Sequence, residues 1–422
     1  MNFRESGAGL RPEFYSPPET SEITEVVTEE AAVRPPVGPS VHVTPLVAEG
    51  DVVAQGAAVA CLRHAPDVAF VSPIAGRIAQ VSLLPGKKLS EIILFRDEGG
   101  AVERHDTAQA ATPPGLRRLL QGAGVWPWLR RRPFGGMPAH DETPAAIFVM
   151  AADTRPFAPD PSDALEGREK DFSSGLNALA QLTDGPIIVC GQGSGPAIAP
   201  GRDGDRIRSV SRGTRHPQAS AGICIHHLFP AGLEAPVWDI HAEDVAAIGA
   251  LRDTGVLPMT RLVRIAGAGL REARSVRTHP GADLRQLTQR IAALGAHTLM
   301  SGSPLDGHTA QWLAPRHRQV TVLPRAAPQR RPHWLAAALT RTAVAAPAIP
   351  TAALTQAFGA ALPAVPFIRA LGAGDDETAI KLGLLSLLEE DVALADFVLS
   401  HGGHLMAELR AMLDGVQTEF AA

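Results

Sequence analysis

The hydrophobic period changes along the chain, and that change restricts the possible folds more than any other feature. Up to about residue 105, apolar residues fall in short runs: Ser40–Val47, Val52–Val53, Ala58–Leu62, Val68–Val71, Arg77–Leu83 and Ile92–Arg96. Turn signals at Gly50, Gly56, Pro73, Gly76 and Pro85-Gly86 cut them apart, which is the pattern of short strands. From Pro144 to about Gly255, strand-like runs alternate with helical spacing. Strands are predicted at Ala145–Met150, Pro186–Cys190, Gly222–His226 and Pro236–Ile240, with helices at Phe172–Leu182 and Glu243–Arg252. Thr260–Leu323 mixes strands with one helix, Asp283–Leu294, and the pattern beyond Asp375 is helical. A chain of 422 residues with four such regimes does not share one core. The prediction is a multi-domain α/β and α+β protein divided at 1–110, 111–143, 144–258, 259–325 and 326–422.

The totals exclude several classes. Hydrophobic residues make up 45% and charged residues 20% of a chain of net charge −5, so nucleic acid is not an expected partner. Cys61, Cys190 and Cys224 lie far apart with no C-x-x-C pair, so thiolates of this chain alone build neither an iron–sulfur cluster nor a zinc ribbon. Met1–Leu10 has Arg4 and Glu5 and no apolar centre, so no secretory signal is expected. The most apolar stretch, Trp334–Leu371, is interrupted by Arg341 and by Pro347, Pro350, Pro363 and Pro366. A membrane helix needs roughly 20 largely uncharged apolar residues, and with these prolines the segment is expected to form buried loops and short helices instead. Any membrane role is expected to run through partners.

Individual motifs carry little chemistry. "VAEGDVVAQG" and "VSPIAGRIAQV" are similar to the two halves of the barrel-sandwich fold of lipoyl and biotinyl carriers. The hairpin between them, Leu62–Asp67, has no lysine to modify, so a structural module is expected there. Arg117, Arg118, Arg130, Arg131 and Arg132 flank Trp126 and Trp128 and are expected to form a solvated or subunit-contact patch. Gly191, Gly193 and Gly195 follow a buried strand like a dinucleotide loop, but the third glycine falls one residue early. Pro196 and Pro200 then occupy positions where an unbroken helix is required. His226-His227 and the pair His401 and His404 lack a completing ligand at metal spacing. The acidic runs at Asp375 and at Glu389-Glu390-Asp391 are explained by helix capping. No catalytic residue and no metal site is predicted.

Taken in order, the stretches "EGDVVAQG", "SPIAGRI", "LRRRPFGGMPAHDETPAAIFVM", "VWDIHAEDVAAIGALRDTG", "SVRTHPGADLRQL", "SGSPLDG" and "RALGAGDDETAIKLGLLSLLEEDVALADFV" resemble the A subunit of the sodium-translocating NADH:quinone oxidoreductase. The resemblance implies a lipoyl-like barrel-sandwich, a Rossmann-like α/β unit, a β-grasp (SLBB-like) unit and C-terminal helices. It implies a peripheral subunit on the cytoplasmic face of the bacterial inner membrane, working in an NADH:ubiquinone reductase that exports sodium. Flavins, iron centres and the NADH site would lie on partner subunits, and no cofactor would be held tightly by this chain. Ubiquinone is the one ligand the resemblance brings near it, with Trp126, Trp128, Arg132, Phe134 and Met137 as the quinone-facing residues. Where the family has Ser-Lys after Arg-Pro-Phe, this chain has Gly135-Gly136, and its acidic N-terminal stretch replaces a lysine-rich start. The C subunit of the related Rnf complex shares the layout but carries clustered cysteines. A free-standing Rossmann-type nucleotide-binding protein is the alternative that Gly191–Gly195 raises.

Overall fold

The computed structural model describes residues 7–36, 38, 40–192, 206–325, 351–399 and 404–421. Its centre is a five-stranded sheet ordered β12-β11-β10-β13-β9. These strands are β9 (Arg130–Arg132), β10 (Ala146–Ala151), β11 (Ile187–Gly191), β12 (Ile207–Ser211) and β13 (Val237–His241). The last four run parallel, and β9 closes one edge antiparallel to β13. Because side chains alternate along a strand, the sheet has two different buried faces. Ile147, Val149, Ile187, Val189, Trp238 and Ile240 pack on α1 (Pro113–Gly122), α3 (Glu169–Leu179) and α5 (Ala242–Thr254). Phe148, Met150, Ile188, Cys190 and Val237 pack on α4 (Ala221–Leu228).

Two glycines let α3 and α5 cross closely. A Cβ at Gly175 would sit 1.9 Å from the Val245 carbonyl, and one at Gly249 would sit 1.9 Å from that of Asp171. Both neighbours are backbone and cannot swing aside. The predicted strand Gly222–His226 is instead part of α4, and β12 supplies the outer parallel strand. An apolar run of five residues fits either state, and periodicity alone does not decide between them.

The N-terminal third forms two small sheets around a shared core of Val43, Val59, Phe70, Ile78, Ile92 and Leu94. One is β2 (Glu30–Val33), β8 (Lys88–Arg96), β7 (Gly76–Leu84) and β4 (Val52–Val53); the other is β3 (Val43–Pro45), β5 (Ala58–Leu62) and β6 (Ala69–Val71). A fourth sheet has six strands in the order β1-β15-β14-β18-β16-β17. They are β1 (Glu19–Glu25), β14 (Arg261–Ala266), β15 (Ala273–Thr278), β16 (His297–Ser301), β17 (His308–Thr309) and β18 (Gln319–Pro324). The predicted helix over 283–294 shrinks to α6 (Leu284–Thr288), capped by Asp283. The acidic lead-in does not stay with the N-terminal sheets: β1 pairs with β15, about 250 residues later in sequence. A short helix, α2 (Pro161–Leu165), lies at the α/β unit's surface.

The C-terminal part is helical. Helices Thr351–Ala357, Ala364–Ala373, Asp376–Lys381, Glu389–Val398 and His404–Ala421 enclose Leu354, Phe358, Phe367, Leu387, Leu409 and Leu413. Asp375 caps its helix by accepting from Thr378 N at 3.0 Å, as the sequence predicted. No helix among the described residues is long and apolar enough to cross a membrane.

Candidate functional site

Register places the three arginines of β9. Arg132 lies opposite Val237 and Arg130 opposite Asp239, so Arg130 and Arg132 share the α4 face while Arg131 points to the other side. There Arg131 pairs with Glu142 at 3.0 Å. Arg132 is fully buried and forms ion pairs with Asp239, with Glu390 at 3.1 Å and with Asp391 at 3.3 Å. Arg130 pairs with Glu390 and Asp239, and Arg316 with Asp239. For Arg130 and Arg132 the solvated or subunit-contact patch expected from sequence is therefore an interior ionic network, whereas Arg118 is exposed and Arg117 donates to the His140 and Glu142 carbonyls. Burying a cation demands carboxylates close by, and these come from β13 and from the helix Glu389–Val398.

The acidic run Glu389-Glu390-Asp391 also needs a second explanation beside capping. Asp391 does accept from Leu388 N at 2.9 Å, which caps its own helix. It also accepts from Gly222 N at 2.9 Å, so it caps α4, whose own Ser220 makes no side-chain cap bond. Glu389 holds Arg410 at 2.7 Å, and Arg410 in turn donates to the Phe134 carbonyl at 2.8 Å. Burial works to raise the Asp239 carboxyl, but Arg132, Arg316 and Arg130 hold it well below the ordinary carboxylate range. Asp391 goes the other way: burial, then repulsion from Glu390, pushes it to about 6 against the pull of Arg132.

This network forms one wall of a cleft of about 180 Å³ at the carboxyl ends of β10 and β13. Open parallel sheets bind ligands at such a place, where the order of strands reverses and the connections leave to opposite sides. Asp153 and His241 stand at the two strand ends, Gly135 and Gly136 form one lip, and Asp306 and His317 reach in from the six-stranded sheet. Arg155 joins Asp153 to Asp306, the latter at 3.3 Å. Four arginines and five carboxylates line the cleft. Each of those carboxylates is matched to a guanidinium. Burial pushes His317 down to about 3 and His241 well below its usual value, with Arg318 and Arg316 adding to the effect on His241. The histidines are thus neutral, and the cleft offers hydrogen bonds with little net charge.

The predicted quinone-facing residues are not gathered in this cleft. Trp126 is fully buried, edge-on to Trp238 with ring centroids 5.3 Å apart, and donates Nε1–H to the Pro138 carbonyl at 3.0 Å. Trp128 is buried beneath the Arg261 guanidinium, 4.3 Å from its ring centroid. Phe134 packs among the C-terminal helices, and Met137 is half-buried between two cores. Only the backbone after Phe134 reaches the cleft. Phe134 itself has φ 78°, and Gly135 and Gly136 continue the left-handed turn, with Leu388 only 3.3 Å from where a Gly135 Cβ would lie. Of the nucleotide candidates, Gly191 ends β11, and Gly193 and Gly195 lie outside the described residues. His401 also lies outside them, and among the described residues no cluster of His, Cys, Asp or Glu is arranged to hold a metal.

Sequence reading missed Asp239, Glu390, Asp391, Arg155 and Arg316 as network members. One signal was available. Asp239 interrupts the otherwise apolar strand "VWDIH", and a carboxylate inside a buried strand requires a cation.

Comparison with known proteins bears on the whole chain. Residues 112–257 match the family model "NqrA second alpha/beta domain", and residues 262–311 match the "NQRA C-terminal domain". The A subunit of the Na(+)-translocating NADH-quinone reductase of Actinobacillus pleuropneumoniae is 32% identical, over 88% of this chain and 90% of its own. That of Alcanivorax borkumensis is 30% identical over 83% and 85%, and that of Neisseria meningitidis 30% over 97% of both. A solved chain of a NAD+-reducing [NiFe]-hydrogenase overlaps at 12% identity, covering 72% of this chain and 64% of that one, under two thirds of its length. Its TM-score of 0.37 is too low to bear on fold or function.

Proposed function

Because the chain belongs to the family of A subunits of the Na+-translocating NADH-quinone reductase, we propose that it is the peripheral A subunit of such a complex. It lies on the cytoplasmic face of the bacterial inner membrane and binds the other subunits. The observation that carries this reading is collinear similarity of 30–32% over 83–97% of the chain. In this reading the chain divides at 1–110, 111–143, 144–258, 259–325 and 326–422, except that β1 of the first stretch joins the sheet of the fourth. The first unit is a lipoyl-like barrel-sandwich, the third Rossmann-like and the fourth a β-grasp. Flavins, iron centres and the NADH site belong to partner subunits, and this chain holds no redox group tightly.

Ubiquinone interaction uses the segment Trp126 to Met137 indirectly. Trp126, Trp128, Arg132 and Phe134 shape the loop from within, and Gly135-Gly136 presents its backbone to the cleft. The neutral, hydrogen-bonding character of that cleft supports an uncharged polar ring over a phosphate-bearing nucleotide. The test is made on membranes from a strain lacking this chain. Sodium-stimulated NADH:quinone reductase activity is expected to vanish and to return with the wild-type chain. Unchanged sodium-stimulated activity in its absence overturns the proposal.

A further inference from the structure

β1 is exposed along its whole length. It is the outermost strand of its sheet and is held on one side only, by parallel pairing with β15 at Glu19–Thr20 and again at Thr24–Glu25, with a shift of register between the two stretches. All seven of its residues are exposed, whereas strands in parallel pairing are ordinarily covered on both faces. Its outer row of amide and carbonyl groups is a template on which another extended chain can add.

Charge indicates what kind of chain. Residues 12–33 contain six glutamates and no basic residue. Three are matched: Glu19 with Arg264 at 2.7 Å, Glu30 with Arg285 at 3.6 Å and Glu29 with Arg96 at 3.7 Å. The arginines of β15 turn elsewhere, Arg274 to the Leu287 carbonyl and Arg277 to that of Asp163. Among the described residues Glu22 and Glu25 make no ion pair, nor do Asp160, Asp163 and Glu166 at the nearby α2. Asp163 lies within reach of carboxylates from both α2 and β1. Partial burial and then Asp160, Glu166 and Glu19 raise the Asp163 carboxyl. Two apolar side chains stand out of the same segment, Tyr15 at 74% and Ile23 at 45% exposure. The carboxylates lie along a strand rather than around a point, which suits a row of cationic side chains.

We propose that the outer edge of β1 docks an extended, Lys/Arg-rich segment of a membrane partner subunit. The segment adds as a further strand and sets its basic side chains among Glu22, Glu25, Asp163 and Glu166. The inference rests on the functional reading above, since cytoplasmic loops of membrane proteins carry an excess of Lys and Arg.

The test uses the assembled complex, isolated gently through a tag on a membrane subunit. The variant is Glu22→Lys/Glu25→Lys/Glu166→Lys, at exposed positions, with its melting transition checked against wild type. Retention of the variant chain is expected to fall roughly tenfold or more. A photoreactive residue in place of Ile23 is expected to crosslink to a basic segment of a membrane subunit. Equal retention of variant and wild type overturns the docking strand. So does a crosslink to lipid, to a second copy of this chain or to a segment without basic residues. If the wild-type chain is itself not retained by any membrane subunit, the functional reading fails and the docking falls with it. If it is retained but ignores the charge reversal, only the docking fails.

Discussion

β9 and β1 are both short edge strands crowded with charge of one sign, and they treat it in opposite ways. Arg130 and Arg132 of β9 turn inward onto carboxylates from β13 and from a helix near the C-terminus. The glutamates of β1 stay outside, and two of them have no counter-charge among the described residues. A buried ion pair needs both members in place, because the one left behind sits uncompensated in a poor solvent for charge. An exposed carboxylate is hydrated whether or not a partner comes. The first kind of charge fixes internal geometry, and the second leaves a surface open to recognition.

The largest effect is expected at Arg132. Arg132→Ala leaves Asp391 without a cation in the interior and takes from Asp239 one of its three arginines, and should cost about 3–5 kcal/mol. Thermal unfolding and hydrogen exchange of residues 389–398 read it. If exchange there is unchanged, the inward charges of β9 do not hold the C-terminal helices. Gly249→Ala comes next, with a loss of about 1–3 kcal/mol as α5 is pushed off the Asp171 carbonyl. Circular dichroism melting checks it, and a neutral outcome would mean that the α3–α5 crossing is looser than described.

A smaller effect depends on pH. The Asp391 carboxyl, at about 6, lies above its unfolded value of about 3.9. The folded state therefore favours its protonated form. The contribution to stability is complete below about pH 4 and is lost as pH rises through about 6. Asp239, held below the ordinary range, contributes in the reverse sense: its share is present above that range and is lost on acidification. Asp391→Asn cannot titrate, so the melting temperature of wild type minus variant should fall between pH 4 and 6 and level off above. A difference that stays flat would remove Asp391 from the set of groups strained by burial. The smallest effect belongs to β1, where Glu25→Gln should leave the melting temperature of the isolated chain unchanged. A measurable loss there would make β1 a structural strand like β9.

How far these regions could be read from sequence follows the same divide. Local patterns placed β10, β11, β13 and α5, because a mainly apolar run and a Gly255 stop depend on neighbours in the chain. They failed at α4, where five apolar residues fit strand or helix equally. They failed again at β9, because whether Arg132 is solvated depends on a carboxylate 259 residues away. The same holds for β1, whose partner strand begins at Ala273. For the site, the sequence drew attention to the right loop through "RPFGG" but to side chains that point into cores. The cleft is assembled from separate stretches spread from Pro36 to Arg410, and no spacing along one of them records the others.

The double role of Asp391 constrains the order in which the molecule can mature. The ribosome delivers Arg132 and α4 long before Asp391, which supplies α4's missing cap and part of the charge that makes Arg132 tolerable inside. Until the C-terminal helices have emerged, the central sheet holds an incompletely neutralised cation and a helix with a bare amide. Ordinary unit-by-unit maturation during synthesis is therefore incomplete for this chain, and a nascent product cut short before residue 391 should be a substrate for chaperones and proteases.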